Sequence, residues 1–193
     1  MADALEAPGS PEGRFTYAEY KDWNPEQTGR YEIIDGEAYA MAAPNAHHQT
    51  VQAALTAHFY NFLAGKPCKV YPAPFDVRLF YAEDESDDTA VQPDITVICD
   101  EKKRGKEGCR GAPDFVAEIL SPANTALEMA RKFRLYREAG VREYWVLDPE
   151  SKTLLAHRFE QGQILTRFYQ EKDTAPVDIL PGLAIALEPV FAE

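Results

Sequence analysis

A chain of 193 residues with 45% hydrophobic content is long enough for one domain with a substantial core. Its net charge of −12 argues against broad, nonspecific affinity for nucleic acid, because phosphate contacts need Lys and Arg. No apolar run approaches the roughly 18 residues that cross a bilayer, and the acidic start Met1-Ala2-Asp3-Ala4-Leu5-Glu6 lacks a signal-like pattern, so no membrane contact, no secretion and a cytoplasmic location are expected.

Residues 1–13 are rich in Ala, Pro, Gly and Glu without periodicity and read as a disordered tail ahead of a single domain at 14–193. Thr16 with Glu19 fits a capping box for a short helix that ends before Pro25. Tyr31–Ile34, Asp35-Gly36 and Glu37–Met41 form a hairpin signal, since Asp-Gly supplies the positive φ angles of a tight turn. From His47 to Leu63, Val51, Leu55, Phe59, Phe62 and Leu63 recur at helical spacing, and Gly65 closes the run. Lys69–Tyr71 and Phe75–Phe80 read as strands. Gln92–Ile98 and Pro113–Leu120 read as strands buried on both faces, because they are almost continuously apolar. Thr125 with Glu128 caps a helix that ends at Gly140. Val141–Leu147 follows as a strand, and Thr153–Phe159 with Ile164–Tyr169 makes a second hairpin turning at Gly162. Val177–Phe191 reads as an extended closing segment. This order gives an α/β (α+β) fold, a mixed sheet flanked by helices.

Cys68, Cys99 and Cys109 are odd in number, widely spaced and form no CxxC pair, so neither a disulfide framework nor a zinc knuckle is expected. Cys99 reads as a small core residue. The block Glu83-Asp84-Glu85-Ser86-Asp87-Asp88 reads as a solvated loop. Lys102, Lys103 and Arg104 fall in a basic stretch between Asp94 and Glu118. Should those two acids converge, the stretch would sit at the mouth of the site and meet a phosphate-bearing ligand.

Asp94 and Glu118 carry the chemistry. A carboxylate inside an apolar strand is costly to desolvate unless something neutralises it. Two of them on neighbouring strands point to a shared divalent cation, Mg²⁺ or Mn²⁺, which takes oxygen ligands and polarises a phosphoryl oxygen. Lys132 directly follows in the next helix and could fold back over the strand end. Ser121 has no Ser-His-acid arrangement around it and reads as a turn residue. Tyr136, Tyr144 and Trp145 read as core aromatics.

Tyr31-Glu32-Ile33-Ile34-Asp35-Gly36-Glu37, His48-Gln49, Gln92-Pro93-Asp94, Glu118-Ile119-Leu120-Ser121-Pro122, Lys132 and Gly140-Val141-Arg142-Glu143-Tyr144-Trp145 together resemble the Uma2 family of the PD-(D/E)XK nuclease superfamily. The resemblance runs from about Phe15 to Phe191. It implies a restriction-endonuclease-like fold, a mixed β-sheet flanked by helices with an additional N-terminal hairpin and a C-terminal β-hairpin. It also implies a metal-dependent endonuclease acting on DNA phosphodiesters, with Asp94 and Glu118 as metal ligands and Lys132 as the catalytic lysine. The superfamily pattern places lysine two residues after the glutamate, where this chain has Leu120; Lys132 matches the variant in which the following helix supplies it. Glu32 resembles an additional acid of the site, with Glu37 an alternative on the same hairpin, and His48 matches the family's histidine, with His47 beside it. Superfamily members commonly pair, so a homodimer is also an expectation. The rival readings are a non-catalytic nucleic-acid or protein-binding module and a metal-dependent hydrolase of RNA or a small molecule.

Overall fold

The computed structural model describes residues 14–24, 26, 29–122 and 124–192; the tail expected at residues 1–13 lies outside them. A short helix α1, Tyr17–Tyr20, begins at Thr16, whose backbone N–H donates to Glu19 Oε2 at 2.9 Å. The expected hairpin forms as β1, Tyr31–Ile34, and β2, Glu37–Ala40, with Asp35 and Gly36 at φ 51° and 79° in the turn. Asn45 caps helix α2, Ala46–Leu63, by accepting the His48 N–H at 2.8 Å. Strands β3, Lys69–Pro72, β4, Val77–Arg78, and β5, Ala90–Val91, follow. The expected strand over Phe75–Phe80 is thus two residues long. Asp76, just before β4, turns its carboxylate into hydrogen bonds with Tyr17, Tyr20 and Gln92.

Then come β6, Ile95–Ile98, a 3₁₀ turn over Glu101–Lys103, β7, Cys109–Arg110, and β8, Phe115–Ile119. Helix α3, Ala126–Ala139, carries the expected capping box of Thr125 with Glu128 and ends on Gly140 at φ 94°. Strands β9, Glu143–Asp148, β10, Thr153–Glu160, and β11, Gln163–Gln170, complete the larger sheet. The closing segment differs from the expected extended run: only β12, Thr174–Pro176, and β13, Ala184–Ala186, pair, while the turns between and after them bury Ile179, Leu183, Val190 and Phe191.

The strands form a mixed six-stranded sheet, β11-β10-β9-β8-β6-β3, a five-stranded sheet, β2-β1-β5-β4-β7, and the β12–β13 ribbon. Strand alternation decides which layer each residue of the larger sheet meets. Ile95, Val97, Phe115, Ala117 and Ile119 join Val51, Leu55 and Phe59 of α2 and the C-terminal segment in one core. Val116 and Ile98 face the other way, into a core shared with Leu135 and Tyr136 of α3 and with Ile34, Val77 and Val91 of the smaller sheet. Glu118 has the parity of Val116 and therefore faces α3. The chain crosses from the smaller sheet to the larger one through Gln92-Pro93-Asp94, between β5 and β6.

Two further expectations need correction. Cys68 and Cys99 are joined by a disulfide. The β3–β6 register, Lys69 opposite Ile98, brings the two cysteines together, which their spacing in the sequence does not reveal. Asp87 does not lie in a solvated loop: it is buried and forms a two-point ion pair with Arg78, with Arg78 Nε at 2.9 Å from its Oδ2. The remaining thiol, Cys109, is buried, and burial pushes it up to about 12. A thiol reagent such as Ellman's is expected to find no reactive cysteine in the native protein and to titrate Cys109 only after unfolding; rapid native labelling would contradict the packing described.

Gly108 explains how the smaller sheet closes. An added Cβ there would lie 2.3 Å from the Asp76 carbonyl oxygen, at φ +147°. That same oxygen accepts the Cys109 N–H at 2.7 Å. Gly108→Ala is expected to destabilise by at least about 1 kcal/mol, measured as a lower urea midpoint; an unchanged midpoint would show that this close approach is absent in solution.

Candidate metal and nuclease site

The β6–β8 pairing runs antiparallel with Ile95 opposite Ala117, so one step further along the register sets Asp94 against Glu118. Two acids separated in sequence thus come together at one end of two adjacent inner strands of the sheet. The Ile119 N–H donates to Asp94 Oδ2 at 2.7 Å, and His48 Nε2 lies 3.2 Å from the same oxygen. The Asp94 carbonyl accepts from Gln52 Nε2 at 3.0 Å and from the Ala73 N–H at 3.1 Å, fixing the backbone that presents the carboxylate.

Glu118 Oε1 accepts from Lys132 Nζ at 3.0 Å and from the Tyr136 hydroxyl at 2.5 Å. Lys132 Nζ also reaches Glu32 Oε1 at 3.1 Å and Oε2 at 3.0 Å. Glu32 is held in turn by the Gln92 backbone N–H at 2.7 Å. Lys132 and Tyr136, four residues apart on α3, project on one face toward the sheet. All three charged groups are nearly inaccessible: Glu32 is 4% exposed, Glu118 7% and Lys132 4%.

Burial is the largest influence on Glu118, pushing its carboxyl up to about 7; Lys132 opposes this, while Glu32 and Asp94 reinforce it. Burial pulls the Lys132 ammonium down, but Glu118 and Glu32 outweigh it and the net shift is upward. Burial likewise works against a charged His48, and Asp94 with Glu118 turns the net shift upward. The centre is therefore an excess of carboxylates around one buried cation.

A cavity of about 500 Å³ opens over this cluster, bounded by the β1–β2 hairpin and the segment after it, by α2, and by the first turns of α3. Asp94 Oδ1 and Glu118 Oε2 accept no hydrogen bond from any described residue, so each carboxylate keeps one oxygen for a ligand. Among the described residues no group of three or more His, Cys, Asp or Glu is arranged to hold a metal ion. Mg²⁺ and Mn²⁺ are held by one or two carboxylates plus waters and substrate phosphate, and Asp94 with Glu118 offers two carboxylates of that kind. The donor set fits the implied ion.

Of the residues singled out in the sequence, Asp94, Glu118, Lys132, Glu32 and His48 converge. Glu37 is exposed and bonded to the Tyr39 hydroxyl, and His47 Nε2 is buried without a partner among the described residues. Lys102, Lys103 and Arg104 do not reach the cavity. They follow the opposite end of β6 from Asp94, where Lys103 Nζ donates to the Ala112 carbonyl at 2.7 Å and Arg104 lies 3.8 Å from Glu101. Sequence reasoning missed Tyr136 as a partner of Glu118; its spacing of four from Lys132 was the available signal. It also missed the scaffold behind Glu32, where Gln92 Nε2 donates to Asp76 at 2.8 Å and Gln92 Oε1 accepts from Arg30 at 2.6 Å.

Tyr136→Phe is expected to keep the fold and, with Glu118 as a candidate metal ligand, to weaken Mn²⁺ binding about 10- to 100-fold, the usual range for losing a hydrogen bond that supports such a ligand. Calorimetric titration with Mn²⁺ beside the wild type would measure this, and an unchanged affinity in the variant would remove Tyr136 from the site.

Comparison with known proteins agrees with this fold. A protein of Synechocystis sp. strain PCC 6803, slr1290, is 26% identical over 96% of this chain and 95% of its own length. A second from that organism, sll1609, is 28% identical over 69% of this chain and 74% of its own. A solved structure from Anabaena variabilis ATCC 29413, described as a "putative nuclease belonging to DUF820", superposes with a TM-score of 0.71 at 20% identity, covering 92% of this chain and 97% of that one. That likeness establishes the fold. The family model described as "Uma2: Putative restriction endonuclease" matches residues 17–188, and the chain belongs to the Uma2 family.

Proposed function

We propose that this protein is a divalent-metal-dependent endonuclease that hydrolyses DNA phosphodiester bonds. The observation that carries the reading is the pairing of Asp94 with Glu118 across β6 and β8, each with one oxygen unclaimed, beside a cavity large enough for a phosphodiester. In this reading Asp94 and Glu118 hold the ion. When bound, Mg²⁺ or Mn²⁺ would polarise the phosphoryl oxygen and lower the pKa of the attacking water. Ile119 and His48 fix Asp94 through its Oδ2, which would leave its Oδ1 to hold the ion. Lys132 and Tyr136 do the same for Glu118. The Lys132 ammonium supplies fixed positive charge beside the reacting phosphate, where charge gathers as the bond breaks. Glu32 keeps that ammonium in place and charged.

The test is a plasmid-nicking assay with and without Mg²⁺, run beside Lys132→Ala. Metal-dependent nicking that disappears in the variant is expected. Metal binding without cleavage of any DNA would transfer the centre to another substrate. Neither binding nor cleavage would leave a non-catalytic module.

A further inference from the structure

Resting on the nuclease reading, we infer that the cleft takes an unpaired DNA strand rather than an intact duplex, with Arg30 and Arg131 as its phosphate-binding cations. Lys132 is fully engaged with Glu32 and Glu118, so it is not free to grip a backbone. Arg131 and Arg30 line the same cavity and form no ion pair with a described residue. The Arg131 guanidinium lies 4.7 Å above the Tyr39 ring, which holds it over the cavity while leaving its donors unspent. Arg30 gives one nitrogen to Gln92, and its Nε is buried without a partner among the described residues.

Size and surroundings favour an unpaired strand. About 500 Å³ matches a small-ligand pocket, room for a nucleotide or two. Leu127, 73% exposed, forms one lip of the cavity, and Met41 and Pro44 form the other. Apolar lips can receive the faces of unstacked bases, whereas a duplex keeps those faces inside its own stack. A duplex footprint also needs a track of cations on either side of the cut. Here Arg134, the next cation along α3, is paired with Asp35 and Glu138, the basic run at Lys102, Lys103 and Arg104 follows the far end of β6, and the chain as a whole carries a charge of −12.

The test compares single-stranded, overhanging and blunt duplex oligonucleotides of one sequence with Mn²⁺, using wild type, Arg30→Gln and Arg131→Gln. Both arginines are partly exposed, and a Mn²⁺ titration of each variant would check that ion binding is kept. Single strands and overhangs are expected to be cut faster than blunt duplex. Each variant is expected to raise KM roughly tenfold or more, the worth of a hydrogen bond to a charged group. Each is also expected to flatten the salt dependence of binding by about 0.7 in log–log slope, as for one lost phosphate contact. Duplex cut as well as single strand, or unchanged salt slopes, would overturn this inference and leave the nuclease reading standing. Failure to cut any of the oligonucleotides would overturn both.

Discussion

Lys132→Met is expected to unfold at a markedly lower temperature than the wild type and to lose metal-dependent cleavage. The side chain is nearly inaccessible and lies within 3.1 Å of oxygens from both Glu32 and Glu118. Methionine fills a similar volume but leaves two buried carboxylates with no cation between them. Removing one partner of a buried ion pair typically costs about 3–5 kcal/mol, far more than the pair contributes net, because the remaining charge is desolvated and unpaired. For a chain of this size that is a fall of roughly 10 °C in the melting temperature. Circular dichroism during heating would measure it. Adding Glu32→Gln to Lys132→Met is expected to recover part of the loss, since it removes one of the stranded charges. A single variant as stable as the wild type would mean that the cluster is open to water.

Asp94→Asn separates chemistry from stability. The amide oxygen of the new side chain can still accept the Ile119 N–H, so the cost to stability is expected to stay near 1 kcal/mol, about the worth of one ordinary hydrogen bond. The charge proposed to hold the ion is gone. Loss of a partner that only supports a metal ligand typically costs about 10- to 100-fold, and loss of the ligand itself is expected to cost at least about 100-fold in nicking rate. Equal rates in the two proteins would remove Asp94 from the centre. The contrast with Lys132→Met is informative because the lysine variant fails through both routes and the aspartate variant through one.

The local signals in the sequence were strong where a short stretch decides the geometry. Asp35-Gly36 dictated a tight turn, and Thr125 with Glu128 and Gly140 fixed both ends of α3. Asp94 and Glu118 stood out because a carboxylate in an apolar strand demands a reason. What local pattern does not carry is register and crossing. The Cys68–Cys99 bond depends on which residues of β3 and β6 fall opposite one another. Asp87 looked like one more acid in a solvent-facing run, but Arg78, nine residues away, draws it inside. Lys102, Lys103 and Arg104 lie between the two key acids in sequence, but a strand separates its two ends in space, and they follow the wrong end of β6. Arg30 and Arg131 carried no signal, since an arginine beside a hairpin or on a helix face is ordinary until the cavity is seen.

Calorimetric titration with Mn²⁺ bears most directly on the two paired acids. The wild type is expected to bind the ion with a stoichiometry near one per chain, and Asp94→Asn and Glu118→Gln are each expected to abolish that binding while remaining folded. Undiminished binding by either variant would contradict a shared ion between these carboxylates.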